Sequence, residues 1–211
     1  MKKFIFIVLC ASFASAQVGE SRADEAAILR QPVKVVENKP LSTVDAFRAA
    51  LSSVGVPGGS VAIRGCEQNA AMMRWNANGV QLDHFLNDLV ISDPSYRWEF
   101  RDHSINIMPV AGEPPLLQTQ IADFNVRTYS SIEALSRLQN LPEIKSAMKN
   151  LQLEGGLAIV MYLSNSKELN LHLKGGTFRE ALNAIAASKG RDIWRYEETH
   201  CGKRNEVTIT F

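Results

Sequence analysis

The stretch that decides the fold is Gly175–Tyr196, which reads GGTFREALNAIAASKGRDIWRY. Thr177, followed three residues later by Glu180, forms the capping box that begins many helices. Apolar residues then recur at helical spacing and give one apolar face, and a glycine ends the helix. The aromatic run around Trp194 predicts a strand. The residues of the apolar face are Phe178, Ala181, Leu182, Ile185 and Ala186.

The same pattern occurs earlier in the chain at a constant offset of 96 residues. Subtracting 96 carries Leu182 onto Leu86 and Trp194 onto Trp98. A register of this length predicts an internal duplication. The preceding strands follow it, because Leu157, Ile159, Leu169, Leu171 and Leu173 fall on Val61, Ile63, Met73, Trp75 and Ala77.

The register changes at the last hairpin of the chain. Val207 and Ile209 match Ile105 and Ile107 at an offset of 102, so the second copy has six additional residues there. We expect these residues to form a longer turn at about Thr199–Asn205.

Each copy reads strand, helix, strand, strand, helix, strand, strand. The predicted fold class is therefore α+β, with two tandem βαββαββ modules, each a small mixed sheet with two helices on one face. The predicted organisation is a signal peptide at 1–16, a polar lead-in at 17–31, module 1 at 32–110, a linker at 111–120 and module 2 at 121–211.

The segment that ends each copy resembles the secretin and TonB short N-terminal domain. It reads GVQLDHFLNDLVISDPSYRWEFRDHSINIMPV in the first copy. In the second it reads LNLHLKGGTFREALNAIAASKGRDIWRYEE and closes with VTITF. The resemblance extends to small secreted bacterial proteins that carry two such modules. It implies a periplasmic docking or signalling role and no catalysis.

The first residues have the pattern of a secretory signal peptide. Lys2 and Lys3 give a basic start, an apolar run follows, and Ala14-Ser15-Ala16 predicts cleavage after Ala16. The apolar run is too short to span a membrane. We therefore expect a periplasmic or extracellular protein without stable membrane insertion.

Composition and charge argue against several classes of protein. The 211 residues are 45% hydrophobic and 21% charged, which is a globular balance. The 23 basic and 22 acidic residues form no block of like charge, so no nucleic-acid partner is expected. Removing Lys2 and Lys3 with the signal peptide leaves 21 basic and 22 acidic residues, a formal net charge of −1.

Cleavage after Ala16 also removes Cys10 and leaves two cysteines, Cys66 and Cys201. In an oxidising compartment two cysteines are expected to form one disulfide, and two separate buried thiols are the alternative. A bridge between these positions would link the two copies and favour their packing side by side.

No pattern in the sequence indicates catalysis, a cofactor or a bound metal. The motifs C-x-x-C, H-E-x-x-H and G-x-S-x-G do not occur. A groove between the copies could still bring polar side chains together, and a secreted enzyme or small-ligand-binding protein is then the alternative function. The candidate residues for this groove are Asp83, His84, His172 and His200.

The favoured function is a non-enzymatic protein-interaction module of the cell envelope, acting as an adaptor or docking unit. The last strand is apolar on one face, and we expect it to lie at a sheet edge that accepts a partner strand. The partner would be another envelope protein or a second copy of the chain. The strand comprises Val207, Thr208, Ile209, Thr210 and Phe211.

Overall fold

The computed structural model describes residues 24–36, 39–66, 70–101, 103–157, 168–202 and 204–211. The predicted signal peptide and the first part of the lead-in lie outside these ranges. Within them the chain forms six helices and twelve strands in mixed sheets, which confirms the predicted α+β class.

The helices and strands follow one another in two series. After a short helix α1 at 24–29, the first half contains β1 (Pro32–Val36), β2 (Leu41–Ser42), α2 (Thr43–Val54), β3 (Gly58–Gly65), β4 (Met72–Met73), β5 (Asn76–Gln81), α3 (Leu82–Ser92), β6 (Tyr96–Arg101) and β7 (Ser104–Pro109). The second half contains β8 (Asp123–Thr128), α4 (Ser131–Gln139), α5 (Pro142–Asn150), β9 (Leu153–Leu157), β10 (Leu169–Lys174), α6 (Phe178–Lys189), β11 (Ile193–Cys201) and β12 (Arg204–Thr210).

Local signals in the sequence set the ends of the helices. Thr177 and Glu180 form the expected capping box of α6, and Gly190 ends this helix with a φ of 85°. Ser42 caps α2 through its side chain, and Pro142 lies in the first turn of α5, where its missing N–H is not needed.

One six-stranded sheet runs through both halves in the order β6-β7-β3-β11-β12-β9. β3 is parallel to β7 and to β11, and β12 is parallel to β9. The hairpins β6–β7 and β11–β12 are antiparallel. This shared sheet differs from the separate sheet expected for each copy. The pairing that joins the halves matches Gly58 with Ile193, which lie 135 positions apart, and local patterns carry no information on such pairings.

Each half also has a two-stranded antiparallel sheet, β1–β5 in the first and β8–β10 in the second. The helices α2 and α3 pack between β1–β5 and the six-stranded sheet. In the second half, α6 packs between β10 and the six-stranded sheet, and α4 lies beside α6 on β8.

The two hydrophobic cores lie on opposite faces of the six-stranded sheet. Ile105 and Ile107 of β7 belong to the first core, around α2 and α3, whereas Met108 belongs to the second core, around α4 and α6. Ile193 and Trp194 of β11 divide in the same way. Because side chains alternate along a strand, the central strands are buried on both faces, as is usual for parallel strands.

The hairpin β11–β12 is longer than β6–β7, but its additional residues are paired. Thr199 faces Glu206 in the ladder, so the predicted longer turn at Thr199–Asn205 is wrong. The offset of 102 also fails in the ladder, because Ile107 faces Trp98 whereas Ile209 faces Tyr196. The pairing continues to Cys201 and Arg204, so the hairpin reaches the disulfide that joins Cys201 to Cys66.

Candidate functional site

Cys66 and Cys201 form a disulfide where the ends of β3 and β11 meet. Their Cα atoms are 4.8 Å apart, because the parallel register that pairs Gly65 with His200 places the next residues side by side. The pairing expected from the cysteine count is therefore present. It spans 135 positions, and a loop of that length corresponds to roughly 5 kcal/mol of chain-entropy stabilisation.

The last strand of the chain does not lie at a sheet edge. β12 pairs with β11 on one side and with β9 on the other, where Val207 faces Gly155. Val207 and Ile209 are buried in the second core. The edge position predicted for Val207–Phe211 is therefore wrong. Its place at the end of the sequence carried no information on which strands flank it in space.

Among the described residues, the six-stranded sheet ends at β6 on one side and at β9 on the other. β6 carries three half-buried aromatic residues, Tyr96, Trp98 and Phe100, which pack against the first core. The backbone N–H of Val110 donates to the carbonyl of Ser95. Ser95 and Val110 are therefore a hydrogen-bonded pair in the antiparallel register of β6 and β7. Antiparallel pairs alternate, and the backbone groups of Trp98 and Phe100 therefore point toward the open edge.

Two tryptophans that are 96 residues apart make the same hydrogen bond. Trp194 Nε1 donates to Asn183 Oδ1 at 2.8 Å, and Trp98 Nε1 donates to Asn87 Oδ1 at 3.1 Å. Trp194 and Asn183 are 0% and 2% exposed, whereas Trp98 is half-buried and Asn87 is exposed. The burial differs because β11 is flanked by β3, while β6 ends the sheet.

Gly59 makes room for Trp194 at the junction between β3 and β11. The two residues face each other in the parallel ladder. A Cβ atom on Gly59 would overlap the indole ring, so a residue with a side chain does not fit there. The tight packing of this junction depends on that glycine.

Ion pairs add a charged layer across the junction. Arg195 of β11 pairs with Asp45 of α2, with Nη1 and Oδ1 3.0 Å apart. Arg64 of β3 pairs with Glu197 of β11 at 3.2 Å. Burial lowers the pKa of Arg48, and the nearby Arg195 lowers it further. These ion pairs connect the two halves, and Arg64 also lines a surface cleft.

Arg179 of α6 forms a second charged cluster, with partners in the first half and the linker. Its side chain is buried and pairs with Glu99 of β6 and with Glu113, whose Oε1 lies 3.0 Å from Nε. Burial raises the pKa of Glu113, and Arg179 opposes this rise. The cluster fastens α6 and the linker to β6.

The residues predicted for a groove between the copies are distributed over three elements, the helix α3 and the strands β10 and β11. Asp83 and His84 lie at the start of α3, where the His84 backbone N–H donates to Asp83 Oδ1. His172 of β10 pairs with Asp123 at 3.1 Å. His200 of β11 pairs with Glu198 at 2.9 Å and contacts Asn205. The side chains of His172 and His200 therefore each have separate partners, and these contacts do not favour a common catalytic or ligand-binding centre.

The clefts found on the described surface lie elsewhere. One of about 400 Å³ is lined by Arg127, Thr128, Tyr129, Ser130, Glu133 and Glu168. Another, of about 340 Å³, lies between the starts of α2 and β6. Neither lining includes Asp83, His84, His172 or His200.

Within the described ranges, no group of three or more His, Cys, Asp or Glu side chains is placed to hold a metal ion. No helix in this part of the chain is long and apolar enough to cross a membrane. Comparisons with protein-family models, with curated proteins and with solved structures give no significant match.

The sequence contains a signal for these two strands in the spacing between an asparagine and a tryptophan. In both halves an asparagine precedes the recurring tryptophan by eleven residues, at Asn87 and Trp98 and at Asn183 and Trp194. This spacing places the asparagine on a helix and the tryptophan on the strand that follows that helix. It marks a matched pair of strands, but which of the two is covered depends on the sheet order.

Proposed function

We propose that the chain is a non-enzymatic protein-interaction module, an adaptor or docking unit, that binds its partner by strand addition to β6. The observation that carries this proposal is the contrast between two corresponding strands. Trp194 on β11 is fully buried beside the neighbouring strand β3, whereas Trp98 is half-buried on β6, whose outer side no strand in the described ranges covers. A strand at a sheet edge that carries aromatic side chains and directs backbone N–H and C=O groups outward is suited to pairing with an extended segment.

We infer further that the halves are tandem copies of a module similar to the secretin and TonB short N-terminal domain. The same order of three strands, β6-β7-β3 and β11-β12-β9, supports this inference. The two Trp–Asn hydrogen bonds at an offset of 96 also support it. The resemblance implies docking or signalling in the periplasm.

A location in the periplasm or outside the cell fits both the predicted signal peptide and the disulfide between Cys66 and Cys201. The partner is then another envelope protein or a second copy of the chain. Nucleic acid and stable membrane insertion are not part of the proposal.

Photo-crosslinking tests the proposed edge. We place p-benzoylphenylalanine at position 97, where the Arg97 side chain is exposed on β6, and irradiate the protein in a periplasmic extract. The matched control carries the same group at position 91, because Ile91 is 75% exposed and belongs to α3 instead of to a strand. We expect defined adducts from position 97, identified by mass spectrometry. Equal labelling from both positions would contradict the proposal.

A further inference from the structure

We propose that β6 accepts an extended segment of another polypeptide in parallel orientation, with a glycine opposite Trp98. This inference rests on the proposed function, because it takes β6 as the interaction edge. It adds the chemistry that the partner segment must have. The junction between β3 and β11 serves as the template for this inference. There β11, which corresponds to β6, is paired with the parallel strand β3.

β6 and β11 correspond closely in their surroundings. Each is the first strand of a hairpin in the six-stranded sheet, and each directs its tryptophan toward the core of its own half. Each tryptophan donates its indole N–H to an asparagine on the preceding helix. The main difference is on the outer side, where the parallel strand β3 covers β11, whereas none of the described strands pairs with the outer side of β6.

The tryptophan selects the residue opposite it. At the template junction, the residue facing Trp194 is Gly59, and a Cβ atom at that position would overlap the indole. Trp98 occupies the matching place on β6. A strand that docks there therefore needs glycine at the facing position.

The next two positions extend the required pattern. In the template, Ser60 faces Arg195 and Val61 faces Tyr196. The corresponding β6 residues are Glu99 and Phe100. In the template the Ser60 hydroxyl donates to the carbonyl of Trp194, so we expect a small hydroxyl residue to donate to the carbonyl of Trp98. We expect a β-branched residue, like Val61, to pack beside Phe100. The partner segment therefore reads glycine, small polar residue, β-branched residue.

The occupant is a separate polypeptide for a structural reason. The segment of this chain that shows the pattern within the described residues is β3, and it is already flanked by β7 and β11. A second folded copy would therefore have to open its own sheet to offer β3. An extended segment of another protein carries no such cost.

A peptide with the sequence of residues 58–65, GGSVAIRG, tests the proposal directly. It is labelled with a fluorophore at its carboxyl end and titrated with the purified mature protein, and binding is followed by anisotropy. We expect saturable binding in the micromolar to millimolar range. The same peptide with Gly59→Val is expected to bind at least about tenfold more weakly, because the added side chain collides with Trp98.

Two variants of the protein assign the binding to β6. Phe100→Pro removes a backbone N–H that points to the open edge, a position where sheets tolerate proline, and should abolish binding. Trp98→Ala should reduce the preference for glycine over valine, which a merely structural role for Trp98 would leave unchanged. Ile91→Lys on α3 is the matched control, and circular dichroism checks that each variant is folded.

The possible outcomes are decisive. Absence of saturable binding, or equal binding of the glycine and valine peptides, would overturn the inference. Sedimentation that shows self-association of the protein, lost in the Trp98→Ala variant, would make a second copy the occupant and would also overturn it. Crosslinks from position 97 to an envelope protein, together with a failed peptide titration, would leave the proposed function standing and remove this specificity alone.

Discussion

At the scale of the residue, one hydrogen bond occurs twice in different surroundings. Asn183 and Asn87 both accept from a tryptophan indole N–H, but the first pair is buried and the second is partly in contact with solvent. A donor that loses its partner inside the protein also loses access to water, whereas an exposed donor can bond to water instead. Comparing the two pairs within the same protein therefore shows how much burial contributes to the cost of losing this hydrogen bond.

We expect Asn183→Ala to destabilise the protein by about 1–3 kcal/mol, because it leaves the buried Trp194 N–H without a partner. Asn87→Ala should cost less than about 1 kcal/mol. Both substitutions replace asparagine with alanine on a helix, so the change in helix propensity cancels in the comparison. Urea denaturation of both variants measures the difference, and equal losses would contradict it.

Glu113 makes stability depend on pH in a defined direction. Burial raises the pKa of this carboxyl in the folded protein above its value in the unfolded chain. Between these two values the folded state binds more protons, so the contribution of Glu113 to stability falls as pH rises. We expect the free energy of unfolding of the wild type, relative to Glu113→Gln, to decrease from pH 4 toward neutrality. Denaturant titrations at several pH values measure it, and a rising difference would refute the assignment.

For helices and strands, the features that were predicted correctly are those determined by residues close together in the sequence. Thr177, Glu180 and Gly190 determine the ends of α6 within one turn of themselves, and the prediction for this helix is confirmed. The position of β12 was predicted wrongly, because its second neighbour, β9, is set by contacts between distant parts of the chain. Alternation along Val207–Phe211 is the same for an edge strand and an interior strand that covers one core.

The same limit applies to the candidate site. The recurrence of Trp98 and Trp194 at an offset of 96 is visible in the sequence. Trp194 is buried, but Trp98 is partly exposed because no described strand covers β6. Patterning gives the face on which a side chain lies. It does not give the strand order that completes its burial.

The disulfide joins the ends of β3 and β11, and its removal should weaken the junction between them. We expect the double variant Cys66→Ser, Cys201→Ser to lose about 3–5 kcal/mol of unfolding free energy, because the unfolded chain is no longer constrained. The wild type in reducing buffer should approach the stability of this variant. Unfolding curves with and without reductant test this, and curves that coincide for the wild type would count against a stabilising bridge.

At the scale of the whole molecule, the six-stranded sheet makes the two halves one structural unit. The strands β7 and β11 contribute to both cores and β3 contributes Val61 to the second, and α6 of the second half packs on β3 and β7 of the first. Loss of either half would expose strands that are buried on both faces. The tandem organisation in sequence therefore does not produce two independent bodies.

We accordingly expect a single cooperative unfolding transition. Differential scanning calorimetry should give one peak with equal calorimetric and van't Hoff enthalpies, as for a two-state domain. A fragment ending at residue 110 should lack a cooperative transition of its own, because β3 would have no β11 beside it. Two separated peaks, or a fragment that melts cooperatively, would show that the halves are independent.

The parallel junction between β3 and β11 also sets an order of events when the chain is made. Gly58 leaves the ribosome 135 residues before its partner Ile193, so the side of β3 that β11 covers stays open until β11 has been made. Pairings between such distant segments form slowly, and an unpaired strand is prone to aggregation meanwhile. Newly made chains would therefore depend on chaperones that shield β3 until the second half arrives.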